Sequence, residues 1–480
     1  MTDTDIGTDI CIIGGGPGGL AAATALALHG RAVTVVNGGP LMGYGIEGAF
    51  KSKAEFEITR QYVYASLRPE VFGSTPPPKF ENVLRGTEKS ASSLNASVLD
   101  RMQRLGVKMI TGHARFIDPH TVVVGGQELK ASKFIIATGS RPRIPKGLTA
   151  DNDRIMSSDT VNLRAGLPES ILILGAGVIG CEYASIFAAL GSRVTLLDTQ
   201  DRVLSMEDPD VSAFVERAFR QRNITVVPGT RFDAVEPTKT GVRTTFSDGR
   251  TLETAAVLLA VGRTPCTGDL GLEIAGVARD ERGNIPTSDC MQTNVEHIYA
   301  VGDVGLRDSP VDMALVHVAQ AEGRCAAHHI LGEQFNQNIE HVPYIIFTIP
   351  MVAGAGLSET AARERFGPDI RVGKYPYGRN HRAHTMYPPL GFVKLIVGPP
   401  GDDRMLGVRV VGRDADTLVA AASIMIEQQL SYSYLMESIL PHPSLMECLQ
   451  GAAHIIAGDA LSYEAGEEYD FGSLAIERPD

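Results

Sequence analysis

The chain has 480 residues, enough for about three domains, and its 44 lysines and arginines against 56 aspartates and glutamates leave a formal charge of −12. No basic run interrupts that acidity, which excludes a nucleic-acid partner, and no apolar run reaches the roughly 20 residues needed for a membrane span. The six cysteines (Cys11, Cys181, Cys266, Cys290, Cys325, Cys448) show neither C-x-x-C nor zinc spacing, so neither a metal site nor a disulfide framework is expected.

The N-terminus, MTDTDIGTD, is acidic where a secretory signal would be basic, and the expected location is the cytoplasm. Residues 9–37 then read as strand, glycine turn, alanine-rich helix and strand. Gly14, Gly16 and Gly19 have the G-x-G-x-x-G spacing that closes a tight turn and frees backbone N–H groups at a helix start, where a pyrophosphate fits. This unit ends at Asn37, 23 residues past Gly14, a position from which a side chain hydrogen-bonds a ribose. The next stretch, GGPLMGYGIEGAFKSK (residues 38–53), contains no cysteine. Residues 54–105 are helix-compatible except at Pro76–Pro78, where three prolines force an exposed connection. Alternating strands follow, with a hairpin turn at Gly125-Gly126, then the apolar run 134–137 and the turn Thr138-Gly139-Ser140.

A second strand–turn–helix–strand unit carries Gly175, Gly177 and Gly180, with Asp198 again 23 residues past its first glycine. Two copies with equal spacing predict two dinucleotide sites. Asp198 would accept hydrogen bonds from a 2′-hydroxyl and repel a 2′-phosphate, which favours NAD, although Arg202 nearby would soften that preference. The run AAVLLAVGRTP, containing Gly262, closes the unit. TNVEHIYAVGD then delivers Asp303 at a strand end, suited to a flavin ribityl chain when combined with the first glycine turn. The helix-compatible stretch after it starts near Ala314 and would aim a positive dipole end at a flavin pyrimidine ring. From Val342 onward strands and helices mix in a third, α+β region, which includes His442-Pro443-Ser444 and Glu447 and runs into an acidic tail.

Taken in order, GGGPGG, GHARF, IATGSRP, GAGVIGCEYASIF, VGRTP, TNVEHIYAVGD and HPSLME resemble the pyridine nucleotide-disulfide oxidoreductase family, over about residues 9–456. The resemblance implies an α/β fold of two Rossmann-like dinucleotide-binding domains plus a C-terminal α+β dimerisation domain. It divides the chain into an FAD-binding domain (1–150 and 275–341), an NAD(P)-binding domain (151–274), an interface domain (342–460) that builds a homodimer, and the tail 461–480. FAD is implied on Gly14, Gly16, Gly19, Asn37, the backbone of Ala114, Thr138, Gly139, Asp303 and Ala314. NAD(H), with NADP(H) as the other option, is implied on Gly175, Gly177, Gly180, Asp198 and Gly262. Glu182 is implied to pair with Lys53, or else Lys51, beside the flavin. His442, oriented by Glu447, is implied to reach the partner subunit's flavin site.

Where the family carries its C-x4-C redox pair, this chain has Leu41 and Ile46. Relaying electrons to a disulfide requires a thiolate, which neither side chain supplies. The expected activity is therefore an FAD-dependent NAD(P)H oxidoreductase without a redox disulfide, serving a small acceptor directly. That acceptor would be a second nicotinamide nucleotide, as in transhydrogenation, or a quinone or enone held in an apolar pocket walled by Leu41 and Ile46. His442 is the candidate proton donor; its alternative role is structural, at the interface. The rival expectation for the whole chain is a flavin-bound protein that has lost turnover and serves as a redox sensor or assembly partner. Glu182 and Lys53 are expected to position rather than transfer protons. Arg379, His381, Arg382 and His384 are expected to form a solvated face, and His328 and His329 to act as cap and surface residues.

Overall fold

The computed structural model describes residues 6–43, 45–307, 314–335 and 341–459, so the acidic tail 461–480 lies outside the described residues. The chain divides into two compact units: Met1–Ala54, Leu84–Pro145 and Gly262–Glu340 form the first, and Glu55–Val83, Lys146–Val261 and His341–Asp480 the second.

In the first unit the strands run Lys108–Thr111, Val33–Asn37, Ile6–Ile13, Gln127–Ile136, Thr121–Val124, Ala114–Asp118, with Ile298–Ala300 also paired to Gln127–Ile136. Its centre is parallel, in the register Ile10↔Val33, Ile10↔Lys133 and Ile298↔Phe134. A parallel sheet is covered on both faces, which is why these strands read as unbroken β-branched runs. Period-2 alternation sends Ile10 and Ile12 to one core with Leu20, Leu26 and Tyr299, and Cys11 and Ile13 to another with Phe116 and Phe134. Helices Pro17–Leu28 and Val316–Leu331 pack against each other. The expected hairpin turns at Gly125-Gly126, with Val124 paired to Gln127.

The second unit holds a five-stranded parallel sheet ordered Ile224–Val227, Arg193–Leu197, Ser170–Leu174, Ala256–Leu259, Ile155–Ser157. It also holds a five-stranded antiparallel sheet ordered Tyr344–Ile346, Val352–Gly356, Met405–Gly412, Gly391–Val397, Arg371–Pro376. Helices Ala415–Glu427 and Met446–Ala457 pack on this second sheet. Within the unit the two sheets are tied by charge. Lys394, 1% exposed at its side chain, reaches Asp208 (2.9 Å), Asp210 (2.7 Å) and Glu359 (3.2 Å). Arg409 bonds Glu207 at 3.0 Å, also buried. Burial of ions this complete is tolerated only with partners on both sides.

Among the described residues no helix is long and apolar enough to cross a membrane, and no group of three or more His, Cys, Asp or Glu is placed to hold a metal ion.

Candidate functional site

The two glycine turns share one construction. Gly14 has φ +117° and Gly175 φ +107°, a region closed to most side chains. A Cβ there would also collide with the carbonyls of Ala137 and Ala260 respectively. Each turn thus presses the chain against a neighbouring strand end and points the next helix outward. In front of the helices there is room: a Cβ on Gly16 would meet only the Ala137 oxygen at 3.8 Å, and one on Gly177 nothing within 4 Å. Helices Pro17–Leu28 and Val178–Leu190 begin on those glycines with no side-chain cap and no acid in the first turn. Their first-turn N–H groups and positive dipole ends remain available to an anion.

The strand-end residues close the parallel. Gly15 N–H donates to Asn37 Oδ1 (3.1 Å), and Ala176 N–H donates to Asp198 Oδ2 (2.5 Å). Asn37 uses its amide protons on the Gly39 carbonyl at 2.7 Å, a bond a carboxylate cannot make. Asp198 instead takes a second backbone proton, from Gln200 at 2.8 Å, on its other oxygen. Arg202 is committed within its own loop, to Asp201 (3.1 Å) and the Ser205 carbonyl (2.9 Å).

Elsewhere in the first unit, Asp303 Oδ2 accepts the Ser140 hydroxyl proton at 2.6 Å, and Arg263 Nε donates to Ser140 Oγ at 2.7 Å. Thr138 donates to the Cys266 carbonyl (2.8 Å), whose own N–H returns to the Gly139 carbonyl (2.8 Å). Glu322 accepts the Gly302 N–H at 2.6 Å and pairs with Arg307 at 3.1 Å; burial raises its carboxyl pKa more than those partners lower it. Gly262, at φ +100°, accepts the Arg143 N–H at 2.9 Å. Ala114 is buried at the start of its strand, Ala114–Asp118, and Ala314 is exposed just before helix Val316–Leu331. Ser140, Arg263 and Glu322 are additions to the sequence-derived candidates. IATGSRP and VGRTP contain the first two, but only folding puts them around Asp303.

The cysteine-free stretch has its own geometry. Leu41 and Met42 pack against the first unit's core, and Ile46 falls on a π-helical turn, Gly45–Phe50, ahead of helix Lys51–Ser66. A π turn is wider than an α turn and absorbs extra residues. Lys51 is mostly buried and bonds Glu88 at 2.6 Å, and this hydrogen bond holds the Glu88 carboxyl below its usual range. Lys53 Nζ lies 3.4 Å from Ser52 Oγ. Burial pushes the thiol of Cys11 up to about 12 and that of Cys325 to about 11, with Cys181 and Cys448 higher still. Those four stay protonated at neutral pH.

In the second unit Glu182 is buried on helix Val178–Leu190 and accepts the Phe347 N–H at 3.0 Å. His442 Nδ1 lies 2.8 Å from Glu447 Oε1, and Glu447 Oε2 accepts the Ser444 N–H at 2.8 Å. Burial opposes ionisation of Glu447, but the His442 and Ser444 bonds outweigh it and hold the carboxyl below its usual range. His381, Arg382 and His384 are exposed, as expected of a solvated face, and His381 Nδ1 stands 3.4 Å from His442 Nε2. Nothing local in the sequence signals that approach. His328 bonds Glu333 (2.7 Å) and His329 bonds the Tyr299 hydroxyl (2.9 Å), both in the last turn of their helix.

With this geometry in place, residues 8–323 match the family model described as pyridine nucleotide-disulphide oxidoreductase, and residues 342–453 match its dimerisation domain. The chain is 34% identical over 459 residues to a soluble pyridine nucleotide transhydrogenase of Mycobacterium bovis, covering 93% of this chain and 96% of that protein. It is 33% identical over 461 residues to a dihydrolipoyl dehydrogenase of Thermus scotoductus, covering 94% and 98%. Among solved structures, LpdA of Mycobacterium tuberculosis superposes with a TM-score of 0.86 at 26% identity, covering 93% of this chain and 99% of that one. The HOCl-induced flavoprotein disulfide reductase RclA of Escherichia coli gives 0.84 at 27%, covering 93% and 100%.

Proposed function

The chain belongs to the pyridine nucleotide-disulphide oxidoreductase family, and from that premise we propose an FAD-dependent NAD(P)H oxidoreductase that serves a small acceptor without a redox disulfide. One observation carries the reading. The His442–Glu447 pair is intact at 2.8 Å in a chain whose residues 38–53 hold no thiol. On this reading His442 serves as a proton donor in a chain that has no thiol in that stretch to relay electrons.

The residues fit both cofactors. The open helix start at Gly16, the Asn37 carboxamide, Gly139 and the Asp303 cluster suit FAD; the second open helix start and Asp198 suit NADH. A bound flavin would supply two-electron exchange between reduced nicotinamide and acceptor. Asp198 would take the ribose hydroxyls, and Arg202, held in its own loop, supports the preference for NADH over NADPH. Glu182 would pair with Lys53 and position it, a choice favoured by the commitment of Lys51 to Glu88. Glu447 keeps the Nδ1 proton of His442 in place, leaving Nε2 to carry the proton given to the acceptor, a contribution of about 10²–10⁴-fold. Leu41 and Ile46 would wall the acceptor pocket. In this scheme 1–150 with 275–341 binds FAD, 151–274 binds the nicotinamide nucleotide, and 342–460 builds a homodimer in which His442 serves the partner subunit's site.

Anaerobic titration is the first test: stoichiometric NADH should bleach the flavin band. A flavin that NADH leaves oxidised would instead support the sensor or assembly role. Steady-state assays with thio-nicotinamide nucleotide, quinones and oxygen then separate transhydrogenation, quinone reduction and oxidase activity. His442→Ala should slow reoxidation by the acceptor while reduction by NADH stays fast; equal slowing of both would overturn the assignment of His442.

A further inference from the structure

We propose that Glu322 is a positioning residue of the flavin site, a clasp that ties the loop carrying Asp303 to helix Val316–Leu331. The proposal rests on the reading of the chain as an FAD enzyme. Glu322 is 7% exposed, on a helix whose other buried residues are small or apolar. It spends both oxygens outside its own helix. Oε2 accepts the Gly302 N–H at 2.6 Å, and Oε1 accepts the Nε proton of Arg307 at 3.1 Å. Gly302 and Arg307 bound the segment that contains Asp303, so one side chain holds both ends of that loop. Gly302, at φ +73°, turns the chain after strand Ile298–Ala300, and the Gly305 N–H closes the turn on the Gly302 carbonyl at 2.9 Å.

The clasp sets Asp303 against the rest of the cofactor site. Asp303 Oδ2 accepts the Ser140 hydroxyl proton (2.6 Å), and Arg263 grips Ser140 through its Oγ (2.7 Å) and its carbonyl (2.8 Å). Asp303 Oδ1 has no hydrogen-bond partner among the described residues, which leaves that oxygen for a ribityl hydroxyl. The helix that carries Glu322 is pressed against the helix of the first glycine turn. A Cβ on Gly323 would lie 2.2 Å from the Gly18 carbonyl oxygen, and one on Gly18 would lie 3.0 Å from that of Ala319. Glu322 stands next to this close approach and transmits the register of helix Pro17–Leu28, where a pyrophosphate fits, to the Asp303 loop. Burial and the nearby Asp303 carboxylate both oppose ionisation of Glu322, and the Gly302 N–H and Arg307 counter them. Arg307 is thus the cation that keeps two neighbouring carboxylates ionised together.

Equilibrium release of FAD from the purified holoenzyme, read as flavin fluorescence in the ultrafiltrate, tests the clasp without turnover. Glu322→Gln keeps the volume but offers one acceptor and one donor to two donors, so either Gly302 or Arg307 loses its bond. Its FAD dissociation constant should rise about 10- to 100-fold. Arg307→Gln leaves Glu322 in place and should shift the constant in the same direction by less, which carries the test if Glu322→Gln fails to fold. A double-mutant cycle separates positioning from general damage. In an Asp303→Asn background Glu322→Gln should weaken FAD by no more than about twofold further, because the carboxylate it positions is gone, whereas a purely structural role gives losses that add. Wild-type affinity in both Glu322→Gln and Arg307→Gln, or additive losses in the double variant, overturns the clasp and leaves the FAD reading standing. A wild-type protein that binds no FAD overturns both.

Discussion

Replacing Asp198 by alanine probes the nicotinamide site most directly. The carboxylate accepts N–H bonds from Ala176 (2.5 Å) and Gln200 (2.8 Å), one on each oxygen. Each oxygen keeps lone-pair capacity for a ribose hydroxyl. Loss of one charged hydrogen bond to NADH costs about 1.5–3 kcal/mol, which at 1.4 kcal/mol per decade is roughly 10- to 150-fold in kcat/KM. NADPH responds in the opposite sense. A carboxylate about 4 Å from a 2′-phosphate repels it by roughly 1–4 kcal/mol across the plausible dielectric range, and that repulsion disappears in the variant. The NADH-to-NADPH ratio of kcat/KM should therefore fall by at least about 50-fold. Flavin reduction followed by stopped flow with each nucleotide supplies both constants. If the two efficiencies fall by the same factor, Asp198 serves only to hold its loop and the selectivity argument is wrong. Arg202→Ala, by contrast, should leave the ratio within a few-fold of wild type, because its guanidinium already binds Asp201 and Ser205.

Lys394→Met removes the cation at the centre of three carboxylates and should destabilise the protein by about 3–5 kcal/mol, read as a lowered thermal midpoint; a loss under about 1 kcal/mol would mean water already screens the site. Burial alone would raise Asp208 and Asp210, but the Lys394 ammonium overrides it and holds both carboxyls low. Groups depressed on folding add stability above their unfolded pKa, about 4, and lose it as pH falls through the folded value. Lys394→Met removes that depression, so the stability gap between wild type and variant should narrow as pH falls below about 4; a gap that stays constant across that range would contradict the assignment. Glu447→Gln keeps the shape but turns an NH2 toward either the His442 Nδ1 or the Ser444 N–H, both of which face the carboxylate, so His442 loses its orientation and reoxidation by the acceptor should slow about 10- to 100-fold with flavin reduction unaffected in stopped flow. Alkylating the accessible thiols with iodoacetamide, with mass spectrometry to score the sites, should leave acceptor reduction intact; activity lost in proportion to modification would put a cysteine in the electron path.

The glycine turns, the hairpin at Gly125-Gly126 and the helix break at Pro76–Pro78 were legible in the sequence because their causes are local. A positive φ, a missing N–H or an uncapped helix start acts within a few residues, and spacing alone records it. Asn37 and Asp198 could be matched as equivalents for the same reason, since both stand one strand–turn–helix–strand unit past their glycines. The Glu447–His442 pair was legible too, five residues apart in one motif. Contacts between distant segments left no such record. His381 lies in an exposed charged run, but its place beside His442 is set by Asn380, which is tied to a loop 64 residues away, and Lys394 sits in an ordinary strand pattern, 184 residues from the Asp210 that neutralises it. Whether an imidazole or an ammonium is free in water or held against a partner depends on which segments pack together, and that long-range outcome is settled by burial of the whole core rather than by any short stretch of chain.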